Sequence, residues 1–286
     1  MPRRRRVPLN YGELMLNRTV GLEIEGYMKK SPRNLNIENC SIKRDGSLSN
    51  YWWSDDGRMY GVEVVTQPLD SLAPLGGIFE QILEQGWSAS GRASLHVHVD
   101  AQDFTFQDRL KLAQFAKCVE DVMFLFVKNR RYNNQYCRLM PNGYKDVLSI
   151  EGIEKVQDYR SLIDHAQSIR GHSSSLQLTL NRYQWANIFK SHYNTIEFRL
   201  FHPIRKAEDG AKFAYLVHNF VNLVKSSSQE QLAFIAQSIQ QESNIELKAK
   251  KLLDSLGIDF ELPIINERAK ASLNNKMLAS NREMAG

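Results

Sequence analysis

Cysteine is scarce: Cys40, Cys118 and Cys137 are the only three in 286 residues, too few and too scattered for a disulfide framework or a paired-cysteine zinc site. A reducing, cytoplasmic setting is the expectation. Long apolar runs are missing as well. The longest, Val122–Val127, falls far short of the ~20 residues that cross a bilayer, and no cleavable apolar segment follows the basic start. Membrane spanning and secretion are therefore not expected. Nor is there a broad excess of one charge. The formal net charge is +5, and Arg3–Arg6 supply four of those charges, so the rest of the chain is near neutral. A uniformly basic nucleic-acid binder is excluded, and the Arg3–Arg6 run reads first as a solvated tail, with nucleic-acid contact the less favoured reading.

The residues that are present are patterned. Five segments alternate with period two. In Thr19–Tyr27, Val20, Leu22 and Ile24 share one face, with Glu23 and Glu25 on the other. Tyr60–Val65 sets Val62 and Val64 against Glu63, and Ser94–Asp100 sets Leu95, Val97 and Val99 against His96, His98 and Asp100. Ser175–Asn181 and Thr195–Phe201 repeat the pattern, the latter with Ile196, Phe198 and Leu200 against Glu197 and Arg199. Two stretches instead carry a helical stripe, Gln107–Arg130 and Ala211–Val224, and Pro74–Gln85 is a shorter third.

One-faced strands and striped helices satisfy each other by packing as layers, which predicts an α+β fold: a largely antiparallel sheet with helices on one face and a polar face opposite. The organisation read from the chain is a basic tail over 1–17, one continuous domain over 18–228 and a helical appendage over 229–286.

The polar face has an unusual composition. A solvated sheet face mixes Lys, Thr, Ser and Gln, whereas here four strands contribute Glu23, Glu25, Glu63, His96, His98, Glu197 and Arg199. Four gathered carboxylates repel one another unless a cation holds them, and a bound divalent metal is the economical explanation. An oxygen-rich ligand set with one or two imidazoles suits Mg²⁺ or Mn²⁺; zinc favours more His or Cys. Each motif alone has a plainer explanation: exposed carboxylates, surface histidines, a same-face Glu197–Arg199 pair. The conjunction is what points to a site.

Gly21-Leu-Glu-Ile-Glu25, Asp45-Gly-Ser-Leu48 followed by Gly61-Val-Glu-Val-Val-Thr-Gln-Pro68, Leu95-His-Val-His-Val-Asp100, and Tyr183–Asn187 leading into Thr195-Ile-Glu-Phe-Arg-Leu-Phe201 resemble, in order, the motifs of the amidoligase family. The resemblance covers roughly Gly21 to Val224. It implies a carboxylate–amine ligase with the glutamine-synthetase-like fold, in which a curved sheet holds ATP and divalent metal on its concave face. Residue by residue, it implies that Glu23, Glu25, Glu63 and Glu197 are metal carboxylates and that His96 and His98 form the histidine motif. In the same terms Arg199 meets phosphate, Arg131 in the Arg130–Cys137 segment is a second phosphate or carboxylate contact, and Asp45 and Ser47 orient a substrate. After Phe201 the chain reads His202-Pro203-Ile204 in place of the Gly/Thr-containing turn of the pattern.

The implied reaction joins a carboxylate substrate to an amine at the expense of ATP, through an acyl phosphate. Two alternatives stay open at this point. A Glu/His cluster also suits an ATP-independent metal hydrolase or oxygenase, and a binding module of the same fold without catalysis is the third.

Overall fold

A computed structural model describes residues 10–48, 52–54, 57–149, 151–170, 183–189 and 194–284. The Arg3–Arg6 tail and the strand expected at Ser175–Asn181 lie outside the described residues. The chain divides into two compact units, Met1–Leu95 with Pro203–Tyr215, and His96–His202 with Leu216–Gly286.

The first unit runs β1 (Met15–Met28), β2 (Cys40–Arg44), β3 (Trp52–Ser54), β4 (Gly57–Thr66), β5 (Leu69–Ser71) and α1 (Leu75–Glu84). Its strand pairings are antiparallel: β1 with β4 and β5, and β4 with β2 and β3. Ile24 faces Val64 and Gly26 faces Val62, so the apolar residues of β1 and β4 fall on one side. There they are buried, as are Leu75, Ile78, Phe79 and Ile82 of α1. The same register puts Glu25 opposite Glu63 and Glu63 opposite Lys43, a charged row on the other side. Asp45 N bonds to Gly61 O, and Leu48 is buried in a small cluster with Tyr27, Met59 and Ala93, which anchors both ends of the Asp-Gly-Ser-Leu motif.

The second unit contains β6 (Leu95–Asp100), α2 (Phe106–Leu125), α3 (Tyr159–Arg170), β7 (Ala186–Asn187) and β8 (Thr195–Phe201). It continues through the later part of α4 (Ala207–Ser226) to α5 (Gln229–Gln241), α6 (Ile245–Ser255) and α7 (Glu267–Met284). β8 lies between β6 and β7, and its pairing with β7 is antiparallel. Phe198 of β8 packs its ring 6.0 Å from Phe220 of α4 and 6.0 Å from Trp185, which is how the apolar face of this strand is filled.

Helix α2 starts where a capping box dictates: Asp108 N donates to Thr105 Oγ1 at 3.1 Å while Thr105 N donates to Asp108 Oδ2 at 3.0 Å. It ends at Leu125, earlier than the apolar periodicity extends. A separate one-turn 3₁₀ helix, Asn129–Arg131, follows. α2 is buried nearly all round because α5, α7 and the 3₁₀ segment Asn142–Ser149 pack about it. Helix α7 docks through buried Ala269 and Leu273, and Ser272 Oγ donates to Asp121 Oδ1 on α2 at 3.2 Å.

Candidate active site

Strand β8 sets the geometry. With period two, Glu197 and Arg199 leave the strand on the side opposite Ile196, Phe198 and Leu200. That side is polar, as expected, yet buried at two of its charged or titratable groups: Glu197 is only 7% exposed and His96 3%. The groups are covered by one another and by neighbouring loops.

Glu197 is the hub. Its Oε1 accepts from Nη1 of Arg199 and lies 3.7 Å from Nδ1 of His96, while its Oε2 accepts from Asn187 Nδ2 at 2.9 Å. A ligand atom of His98 and one of Glu197 come within 4.8 Å of each other. The His98 ring is oriented by Nδ1, 3.1 Å from Thr195 Oγ1. Arg199 is held by three further features: its own strand, Nε donating to the Tyr136 carbonyl at 3.4 Å, and the Tyr183 ring, whose centroid is 5.7 Å from Cζ. Among the described residues no hydrogen bond is made by its Nη2, and the side chain is partly exposed.

The other expected site residues divide between the units. Glu23, Glu25, Glu63, Asp45 and Ser47 belong to the first, and His96, His98, Arg131, Glu197 and Arg199 to the second. Glu25 is buried, and its Oε2 accepts from Ser94 N at 2.9 Å and Ser94 Oγ at 2.6 Å, so one carboxylate oxygen is engaged in holding the strand end. Asp45 Oδ1 accepts from Ser47 N at 2.6 Å, closing a turn, and the Ser47 side chain is exposed.

Arg131, expected as a phosphate or carboxylate contact, donates to the backbone of the protein itself. It is 4% exposed, and its guanidinium points inward to the backbone of β8, Nη2 donating to the Arg199 carbonyl and Nε to the Leu200 carbonyl at 3.3 Å.

Two residues gained importance only in the structure. Asn187 was part of a motif with no assigned role, and it orients Glu197 from the paired strand. Glu120 was not singled out in the sequence. It is 2% exposed and accepts from Lys117 Nζ, from Met140 N at 2.8 Å and from Trp185 Nε1 at 3.1 Å. Burial pushes its carboxyl pKa up, against the pull of Lys117.

Charge also surrounds His202, at the position where the chain departs from the motif pattern. Burial, reinforced by Lys128, Arg130 and Arg131, lowers its imidazole pKa to about 4.

The family model described as "Putative amidoligase enzyme" matches residues 33–203, more than half of the chain, and the chain belongs to that family. The match takes in every candidate site residue except Glu23 and Glu25, which precede it. No curated protein matches the chain. Among solved structures, a bifunctional glutathione synthetase from Pasteurella multocida is similar at 11% identity and a TM-score of 0.41, over 91% of this chain and 47% of that one. This chain thus spans about half the length of that protein, and the likeness is too distant to carry an argument about fold or function.

Proposed function

We propose that this protein is an ATP-dependent carboxylate–amine ligase that works with Mg²⁺ or Mn²⁺ on a glutamine-synthetase-like sheet. The observation that carries the reading is the grouping at Glu197: a buried carboxylate beside two imidazoles and a partly exposed arginine. Residues 18–228 supply the catalytic part in this reading, and 229–286 are helical support.

The donor set fits a divalent ion. The His98 and Glu197 ligand atoms lie within 4.8 Å of each other, near enough for a small side-chain movement to bring both to one ion about 2.0–2.2 Å from each. A carboxylate has about four lone-pair positions, so the bonds from Arg199 and Asn187 leave room on Glu197. Carboxylate and imidazole without thiolate favour Mg²⁺ or Mn²⁺. The family resemblance adds Glu23, Glu25, Glu63 and His96 to the ligand set. When bound, the metal supplies positive charge that offsets the phosphates of ATP and permits an anionic nucleophile to approach.

Chemistry then proceeds in two displacements. An oxygen of the substrate carboxylate attacks the γ-phosphorus, the bond to ADP breaks, and an acyl phosphate forms. The amine nitrogen attacks the acyl carbon, phosphate departs with the bonding pair, and the nitrogen loses a proton to give the amide. Direct condensation fails because hydroxide is a poor leaving group, whereas phosphate is a good one. Arg199 contributes most while charge is spread over the oxygens of the transferring phosphoryl group, where its donors form charge-assisted bonds. Asp45 and Ser47 orient the amine or carboxylate substrate.

The test is ADP release by the purified protein with Mg²⁺, ATP and a metabolite pool, followed by mass analysis of the product. The reading requires ADP and an amide product that form only when a carboxylate and an amine are both present. Substrate turnover that proceeds equally without nucleotide overturns it in favour of a metal hydrolase or oxygenase.

A further inference from the structure

We infer that Arg131 is a positioning residue, which acts on the ligand only through Arg199; this deepens the ligase reading and rests on it. Burying a guanidinium is costly unless its donors are met, and Arg131 is met by the backbone of the strand that carries the site. Strand β7 pairs with β8 at Phe198 and Glu197, and one more backbone bond, Arg199 N to Trp185 O at 2.7 Å, extends the ladder. The Arg199 carbonyl receives its donor from the Arg131 side chain. Holding that peptide holds the direction in which the Arg199 side chain leaves the strand.

The same loop takes hold of Arg199 a second time, through the Tyr136 carbonyl that accepts from Nε at 3.4 Å. The loop is itself shaped and anchored. Asn134 Nδ2 donates to the Arg130 carbonyl at 2.8 Å, and Cys137 N donates to the Asn134 carbonyl at 3.1 Å. Arg138 exchanges backbone bonds with the segment leading into β7, its N donating to Tyr183 O at 2.7 Å and its O accepting from Trp185 N at 2.9 Å. Main chain and side chain of Arg199 are therefore set by residues 131 and 136 of one braced turn. An arginine that must fit a transferring phosphoryl group gains from such fixing, because less rotamer freedom is lost on binding.

The experiment is a double-mutant cycle read by calorimetric MgATP binding, with Arg199→Gln, Arg131→Gln and the double variant, and melting temperatures taken alongside. Arg199→Gln is expected to weaken MgATP about tenfold, the loss of one charge-assisted contact. Arg131→Gln is expected to weaken it by a similar factor, and the double variant to bind no more weakly than Arg199→Gln alone. Factors that multiply would give Arg131 its own ligand contact and overturn the inference. A lower melting temperature with unchanged MgATP affinity would make Arg131 merely structural and overturn it equally. If Arg131→Gln does not fold, Arg131→Lys serves: it keeps the buried charge but reaches fewer carbonyls, so it must weaken MgATP in the wild-type background and have no effect in the Arg199→Gln background. Wild-type protein that binds no MgATP overturns the ligase reading itself and this inference with it, whereas Arg199→Gln that binds MgATP as well as wild type overturns this inference alone.

Discussion

Arg199 and Glu197, two residues apart on β8, form an ion pair whose side chains are 16% and 9% exposed. Such a pair is held on one strand face by period-two geometry alone, with no long loop to order. The two residues differ in how they are held: Glu197 accepts from Asn187 and Arg199 and has His96 Nδ1 3.7 Å away, whereas among the described residues Nη2 of Arg199 makes no hydrogen bond. The carboxylate is thereby fixed, and the guanidinium can answer an incoming anion.

Glu197→Gln keeps the shape and removes the charge. Mn²⁺ affinity should fall at least tenfold, since a ligand is lost where even supporting contacts are worth 10–100-fold. The fold should persist with a cost of about 1–3 kcal/mol from the broken charge-assisted bonds. Titration of Mn²⁺ followed by electron paramagnetic resonance reads the first quantity; unchanged affinity would remove Glu197 from the ligand set.

His202 predicts a pH dependence of stability. Its folded-state pKa is lowered from 6.5 to about 4, so between those values the unfolded chain binds the proton more readily. Stability from this residue is full above pH 6.5 and declines as pH falls towards 4, by roughly 3 kcal/mol at most. His202→Gln should flatten the acid limb of urea-denaturation stability over that window. A limb of undiminished slope would assign it to other groups.

Gly26 lies beneath an indole. A Cβ at this position would stand 2.1–2.4 Å from three ring atoms of Trp87, a rigid group that cannot bend aside. Gly26→Ala should cost about 1–3 kcal/mol or more. Replacing Trp87 by Leu in the same chain should recover part of that loss, and thermal denaturation of the single and double variants measures both.

Glu120 joins α2 to the backbone of Met140 and the indole of Trp185. Glu120→Ala leaves Lys117 buried without its carboxylate, at a cost of about 3–5 kcal/mol. Glu120→Gln should cost less, because an amide oxygen still accepts from Met140 N. Urea unfolding separates the two variants, and an equal effect would show that the charge accounts for the whole loss and the remaining acceptor for none of it.

The sequence by itself determined the strands at β1, β4, β6 and β8, the helices α1, α2 and α4, and the gathering of acidic and imidazole side chains opposite the apolar faces. All of these follow from periodicity, a property of neighbours in the chain. The end of α2 was not legible, because Phe126 and Val127 extend the apolar run past the point where the backbone stops being helical. Nothing in the periodicity marked Glu120 and Asp121 for burial, and the packing of α5, α7 and residues 142–149 around α2 buries them. The role of Arg131 was decided later still. A sequence specifies that a guanidinium is present, but whether it turns to a ligand or to a carbonyl depends on which acceptors distant segments bring within 3.5 Å, and residues 199 and 200 arrive there only when the strand and the loop have met.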